Sequence, residues 1–239
     1  MLAALALAAL ALSGCETTAE ESAKLERKAE REQAEHPAPA QKGLSIARAS
    51  AAVKVVNATL VRDSEGAAAA VTIRNVSPRA LRSVPIAITV RDARGRTLFQ
   101  NNAPGLEAAL TSLALLPAHG EATWVDDQIP SSGEPASVSA LVGVAPAASG
   151  QAPRIEVEGL RPSEESGAGA AGTVRNRSAL TQRKLVVYVL ASRAGKIVAA
   201  GRAVVPEVAP GASVGFQVFF VGSARGATLQ ASAPATTLG

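Results

Sequence analysis

Cysteine is nearly absent: the 239 residues hold one. A lone thiol builds no disulfide framework, so folding must rest on core and backbone pairing, as in an exported protein without cross-links. Aromatics are scarce as well, at 3%, with one Trp, one Tyr and four Phe. That is a poor basis for sites that stack sugars or nucleic-acid bases, and no nucleic-acid partner is expected. Histidine occurs twice, at His36 and His119. A metal site would have to join His119 to carboxylates such as Asp126 and Asp127, yet neighbours on a strand point to opposite faces. The same shortage leaves only His119 as a base for a Ser-His-Asp triad inside the folded part. No metal, no cofactor and no enzymatic activity are therefore expected.

What is abundant is aliphatic. Hydrophobic residues make up 47% of the chain, so the core must be built of Val, Leu, Ile and Ala, a composition suited to β-sheets. The net charge of +4 is unevenly spread. Residues 16–36 carry seven acids and four bases, 37–150 ten bases and eight acids, and 151–239 ten bases and five acids. The arginines are scattered, which fits a solvated surface better than a polymer-binding face.

The first eleven residues, MLAALALAALA, are all Met, Leu or Ala. With Leu12 they make an apolar segment long enough for secretion and too short for a membrane-spanning helix, which needs about 20 residues. No positive charge precedes it after Met1, which points to a start further upstream. Leu12-Ser13-Gly14-Cys15 follows. This run resembles the lipobox of bacterial lipoproteins at all four positions. The resemblance implies cleavage between Gly14 and Cys15 and a diacylglyceryl group on the Cys15 sulfur. More than one acyl chain meets the requirement for stable anchoring, so the membrane itself is an expected partner. The expected location is extracytoplasmic, on the cell membrane or the outer membrane. Glu16, where an Asp would retain a lipoprotein at the inner membrane of two-membrane bacteria, permits transport outward.

The signal segment is thus expected at 1–14 and a lipidated tether at 15–43. Residues 16–35 are nearly all polar or Ala, with opposite charges at i,i+4 in Glu20–Lys24, Lys28–Glu32 and Arg31–Glu35. Leu25 is their only large apolar residue, so no coiled-coil seam exists and a partly helical, solvated tether is predicted. Pro37 and Pro39 end it.

From residue 44 onward, short β-rich runs alternate with turn residues. The predicted strands are 53–62, 69–75, 84–92 and 136–145, then 154–160, 170–176, 184–192, 196–205, 213–221 and 227–233. Val84, Ile86, Ile88 and Val90 fall on one side of their run, the period of a half-buried strand. LEAALTSLALL at 106–116 reads as a short helix or as a loop crossing between sheets. The halves repeat each other: VTIRNVS at 71–77 matches GTVRNRS at 172–178, charged Gly turns follow at Gly95 and Gly195, and Pro117 and Pro210 open matching turns. The first half carries an insertion near 101–112. Asn75 and Asn176 are read as backbone-bonding residues at strand ends.

Two halves of about 100 residues with six or seven strands suit tandem antiparallel β-sandwiches, at 44–148 and 153–239, joined by GQAP at 150–153. The order of motifs resembles FxLYD-like and related bacterial extracytoplasmic sandwich domains, over roughly 50–145 and 153–235. That resemblance implies an all-β, immunoglobulin-like fold and a non-catalytic structural or interaction role at the envelope, with an envelope or secreted protein as partner. A ligand-binding or assembly factor with a site between the domains is the alternative, as is a sheet edge lent to a partner strand. Trp124, the single Trp, is read two ways: a core residue matched by Phe216, or an exposed interaction anchor.

Overall fold

A computed structural model describes residues 22–28, 42–130, 132–163 and 169–239. Gly14, Cys15 and the rest of the signal segment lie outside the described residues. The chain divides after Gln41, and Lys42–Gly239 is one compact unit. In the first unit, residues 22–28 are helical, as the tether reading expects, with Leu25 exposed and Arg27 Nε donating to the Ala23 carbonyl at 3.0 Å.

The second unit is all-β. Its first half contains β1 (Val53–Arg62), β2 (Gly66–Asn75), β3 (Leu81–Arg91), β4 (Thr97–Gln100), β5 (Ser112–Leu116), β6 (Glu121–Pro130) and β7 (Ser137–Val142). The second half contains β8 (Ile155–Ser163), β9 (Gly169–Asn176), β10 (Gln182–Arg193), β11 (Lys196–Val208), β12 (Ser213–Phe219), β13 (Val221–Gly222) and β14 (Thr228–Ser232). Each half is a pair of packed antiparallel sheets. In the first, β1-β2-β6 faces a sheet in which β3 pairs with β4, β5 and β7. In the second, β8-β9-β12 faces β13-β11-β10-β14. Val84, Ile86, Ile88 and Val90 are all buried, alternating with half-buried Pro85, Ala87 and Thr89, so the period-2 pattern is obeyed.

The repeat is structural down to single atoms. Asn75 Nδ2 donates to the carbonyls of Arg79 (2.7 Å) and Pro117 (2.9 Å), and its Oδ1 accepts from the Ser77 backbone and hydroxyl. Asn176 does the same with Leu180, Val208 and Ser178. Both asparagines are buried, and each ties the loop after one strand to the next sheet. They are parts of the fold, as expected. Gly95 (φ 81°) and Gly195 (φ 74°) hold left-handed turn positions, where glycine carries no Cβ penalty.

The halves differ at the insertion. In the second half, β11 runs unbroken along β10 from Lys196 to Val208. In the first, the corresponding partner of β3 is cut into β4 and β5. The run 106–116 is neither a helix nor a crossing loop: Ala108–Leu110 is one 3-10 turn, and Ser112–Leu116 stays in the sheet, paired with β3. A short apolar run fits strand and helix alike, and the tertiary partner decides. The cut would strand the backbone groups of β3, and Asn101 fills it. Its Oδ1 accepts from the Ile88 N–H, and its Nδ2 donates to the carbonyls of Ile86 and Leu110, each at 2.8 Å. Asn101 is 1% exposed, so no water replaces these bonds.

Asn101→Ala leaves three buried backbone groups without partners, and we expect it to destabilise the unit by about 2–4 kcal/mol, since each orphaned group costs about 1–3 kcal/mol before relaxation. Urea unfolding should show the loss as a lowered midpoint with an unchanged slope.

Candidate functional site

In the β1-β2-β6 sheet the central strand β2 is buried on both faces, while much of β1 stays exposed. One face packs on β3, β5 and β7 of its own half, and the other receives β10 and β11. Val186, Tyr188 and Ala200 of the second half belong to the same apolar cluster as Val71, Trp124 and Ile73. Ala67, Ala68, Ala69 and Ala70 of β2 are all at most 1% exposed, so this part of β2 is covered on both faces. The two predicted sandwiches therefore form one packed unit, each with its own core, meeting through a dry face.

Polar bonds fix the register of this contact. Asp127 of β6 accepts from Arg202 of β11 twice: from the backbone N–H at 2.9 Å and from Nε at 3.0 Å. The Arg202 side chain is 5% exposed and that of Asp127 16%, so the pair is largely desolvated. Asp63, in the turn after β1, accepts from the Gly222 N–H at 2.7 Å. Partial burial pushes this carboxyl up, but the N–H groups of Gly222, Glu65 and Gly66 outweigh it and hold the group below the usual carboxylate range. Gly222 has φ 92°, and a Cβ there would overlap the Val198 carbonyl and the Val61 side chain.

At one end of the interface the halves part into a groove of about 710 Å³. One wall is the insertion of the first half, with Glu107, Ala108 and Ala109. The other wall is the start of β10 and the C-terminal segment 234–238. Arg82 and Arg183, at matching positions of the two halves, both line it, as does Lys184. Ser83 (φ 48°) and Lys184 (φ 49°) are both left-handed. Their recurrence in both halves marks this bulge as part of the repeat. Val186, Tyr188 and Val204 supply an apolar lining, and Val204 stays 42% exposed. Tyr188 is 3% exposed and also borders a second cavity of about 490 Å³ beside β6 and β14. Burial raises its phenol pKa well above the ordinary range, with Arg202 opposing and Asp127 adding to the effect. No described residue hydrogen-bonds to its hydroxyl.

Trp124 is no surface anchor. It is fully buried, and its Nε1 donates to the Ala109 carbonyl at 2.8 Å, bracing the turn that forms the groove wall. It pairs with Val71, and Phe216 pairs with the matching Gly172, so the core reading and the Phe216 correspondence both hold. His119 sits in a turn with φ 52°, its N–H donating to the Ser77 carbonyl. Among the described residues no three His, Cys, Asp or Glu side chains gather as a metal site. Asp126 and Asp127 do diverge: the first enters the core and the second meets Arg202. Residues 211–215 spell GASVG, a G-x-S-x-G pattern. A nucleophile elbow is a strand–turn–helix corner, whereas here a turn opens strand β12 and Ser213 pairs with Arg175.

Asp126 is 1% exposed, at the place where the second half has Val218. Burial raises its pKa from 3.8 to about 6, with Asp127 adding to the shift and the Gln128 N–H and Arg202 opposing it. The folded form holds the proton more tightly than the unfolded chain. Its stabilising effect is therefore complete below about pH 4 and is lost as the pH rises through about 6, a difference of about 3 kcal/mol.

Thermal unfolding between pH 4 and 7 should thus show stability falling with rising pH and levelling off above about 6, and Asp126→Asn should flatten that slope. The ion pair yields a second expectation. Asp127→Ala and Arg202→Ala should each cost about 3 kcal/mol by leaving a charge buried and unpaired, and the double variant should cost less than their sum. Urea denaturation of the four proteins measures the coupling.

Among the described residues no helix is long and apolar enough to cross a membrane. Comparison with known proteins finds no matching family model and no significant match among curated proteins.

Proposed function

We propose that the protein is a lipid-anchored, non-catalytic structural or protein-interaction module of the bacterial cell envelope. The observation that carries this reading is Leu12-Ser13-Gly14-Cys15 after an apolar segment of secretory length. The Cys15 sulfur bears the acyl chains, cleavage falls between Gly14 and Cys15, and the charged tether spaces the β unit from the bilayer. Anchoring confines that unit to the membrane surface and raises its effective concentration for an envelope or secreted partner there. The immunoglobulin-like character of each half, inferred from motif order, belongs to this reading.

A second reading is favoured by one specific observation, the groove between the halves. A cavity of about 710 Å³ lies within the range of about 300–1,000 Å³ typical of small-molecule sites, which supports ligand binding at the place where the repeats meet.

Membrane fractionation of the producing bacterium tests the anchor. The protein should sediment with membranes, and mass spectrometry should find an acylated Cys15 at its N-terminus. Cys15→Ser should release it to the soluble fraction or leave the leader uncleaved. A native protein with an intact leader, or a mature one without acyl mass, would end the proposal.

A further inference from the structure

We infer that the groove between the halves binds a small amphipathic anion, with a carboxylate or phosphate head held by Arg82, Arg183 and Lys184 and an apolar body laid on Val186, Tyr188 and Val204. The inference goes beyond the anchoring role and is independent of Cys15.

Charge is the first support. Three cations line the groove against one carboxylate, Glu107. The repeat brings two of them together, since Arg82 and Arg183 each stand in the second position of matching strands and approach from opposite halves. Arg183 pairs with Glu207 at 2.5 Å, outside the groove lining, and its side chain remains 72% exposed. Guanidinium groups present paired N–H donors that fit carboxylate and phosphate oxygens.

The lining is the second. Beneath the cations lie Val186, Val204 and the ring of Tyr188, while Ala109 and Ala235 add apolar surface from either wall. Val204 is among the few large hydrophobics left exposed in the unit, although its partner across the ladder, Val186, is buried. The Tyr188 hydroxyl makes no hydrogen bond to a described residue and adds a polar contact point to this lining. An apolar strip roofed by cations suits neither a neutral lipid nor a bare inorganic anion.

The third is the origin of the wall. Glu107, Ala108 and Ala109 belong to the insertion that only the first half carries, and Trp124 braces it through the Ala109 carbonyl. An insertion confined to one repeat and placed on one face is the common way a repeat architecture gains a binding surface. Without it β4 and β5 would join, as β11 does, and this side of the groove would be open.

The test titrates the full chain carrying Cys15→Ser, in detergent-free buffer, with dodecanoate, dodecyl phosphate and dodecanol below their aggregation concentrations. Isothermal titration calorimetry should show saturable binding of both anions. Dodecanol should bind about tenfold more weakly or worse, the cost of about one charge-assisted hydrogen bond. A preference between carboxylate and phosphate identifies the head group. Arg82→Gln with Arg183→Gln should weaken the anions by about tenfold or more and leave dodecanol unchanged. If that variant fails to fold, a salt titration of the parent serves instead, because anion affinity alone should fall with ionic strength. No saturable binding, equal binding of dodecanol, or anion affinity indifferent to both the substitutions and salt would each overturn the inference.

Discussion

Everything in this unit follows from one contact: the outer face of the β1-β2-β6 sheet pressed against β10 and β11. It covers β2 on both sides, so the run Ala67–Ala70 is wholly buried. It desolvates Asp127 and Arg202, so that a pair worth little in water becomes a registry device. The faces equivalent to those that meet are altered in both halves. Where the second half docks with Val186, Tyr188 and Leu190, the matching face of the first half has Pro85, Ala87 and Thr89. Where the first half receives it with Val61 and Val125, the second half has Ser163 and Gln217, hydrogen-bonded to each other at 3.4 Å.

The strands were largely legible in the sequence because their burial is one-sided. Period-2 alternation fixed β3, and β1 runs over the same 53–62 that its residues suggest. The repeat was legible for a related reason: Asn75 and Asn176 satisfy buried carbonyls that no other small side chain reaches, so the motif around each must stay alike. What escaped the sequence depends on partners distant in the chain. Nothing in LEAALTSLALL says that Leu113 will lie opposite Val84, or that Asn101 will stand in for a missing strand. The fusion of two predicted domains escaped for the same reason. Val186 and Tyr188 have the hydrophobicity of a core residue, and their sequence does not tell which half's core they enter.

The candidate site was the least legible feature, and the physical reason is instructive. Function in a two-fold repeat lies where the copies disagree, because agreement only maintains the shared fold. The halves disagree at the insertion, at Trp124 against Phe216, at Asp126 against Val218, and at Tyr188 against Ala87. Trp124 braces the insertion, the insertion walls the groove, and Tyr188 lies beneath it. Asp126 stands apart, a buried carboxyl whose ionisation costs the folded unit stability as the pH rises. Three of these departures gather at the groove, and none is recognisable as a motif. Arg82 and Arg183 complete the arrangement from the opposite principle. They agree between copies, yet packing one half on the other turns a repeated surface charge into two cations facing one cavity. A binding site assembled in this way needs no catalytic constellation and no conserved signature, only a shared contact that brings dissimilar parts of similar halves together.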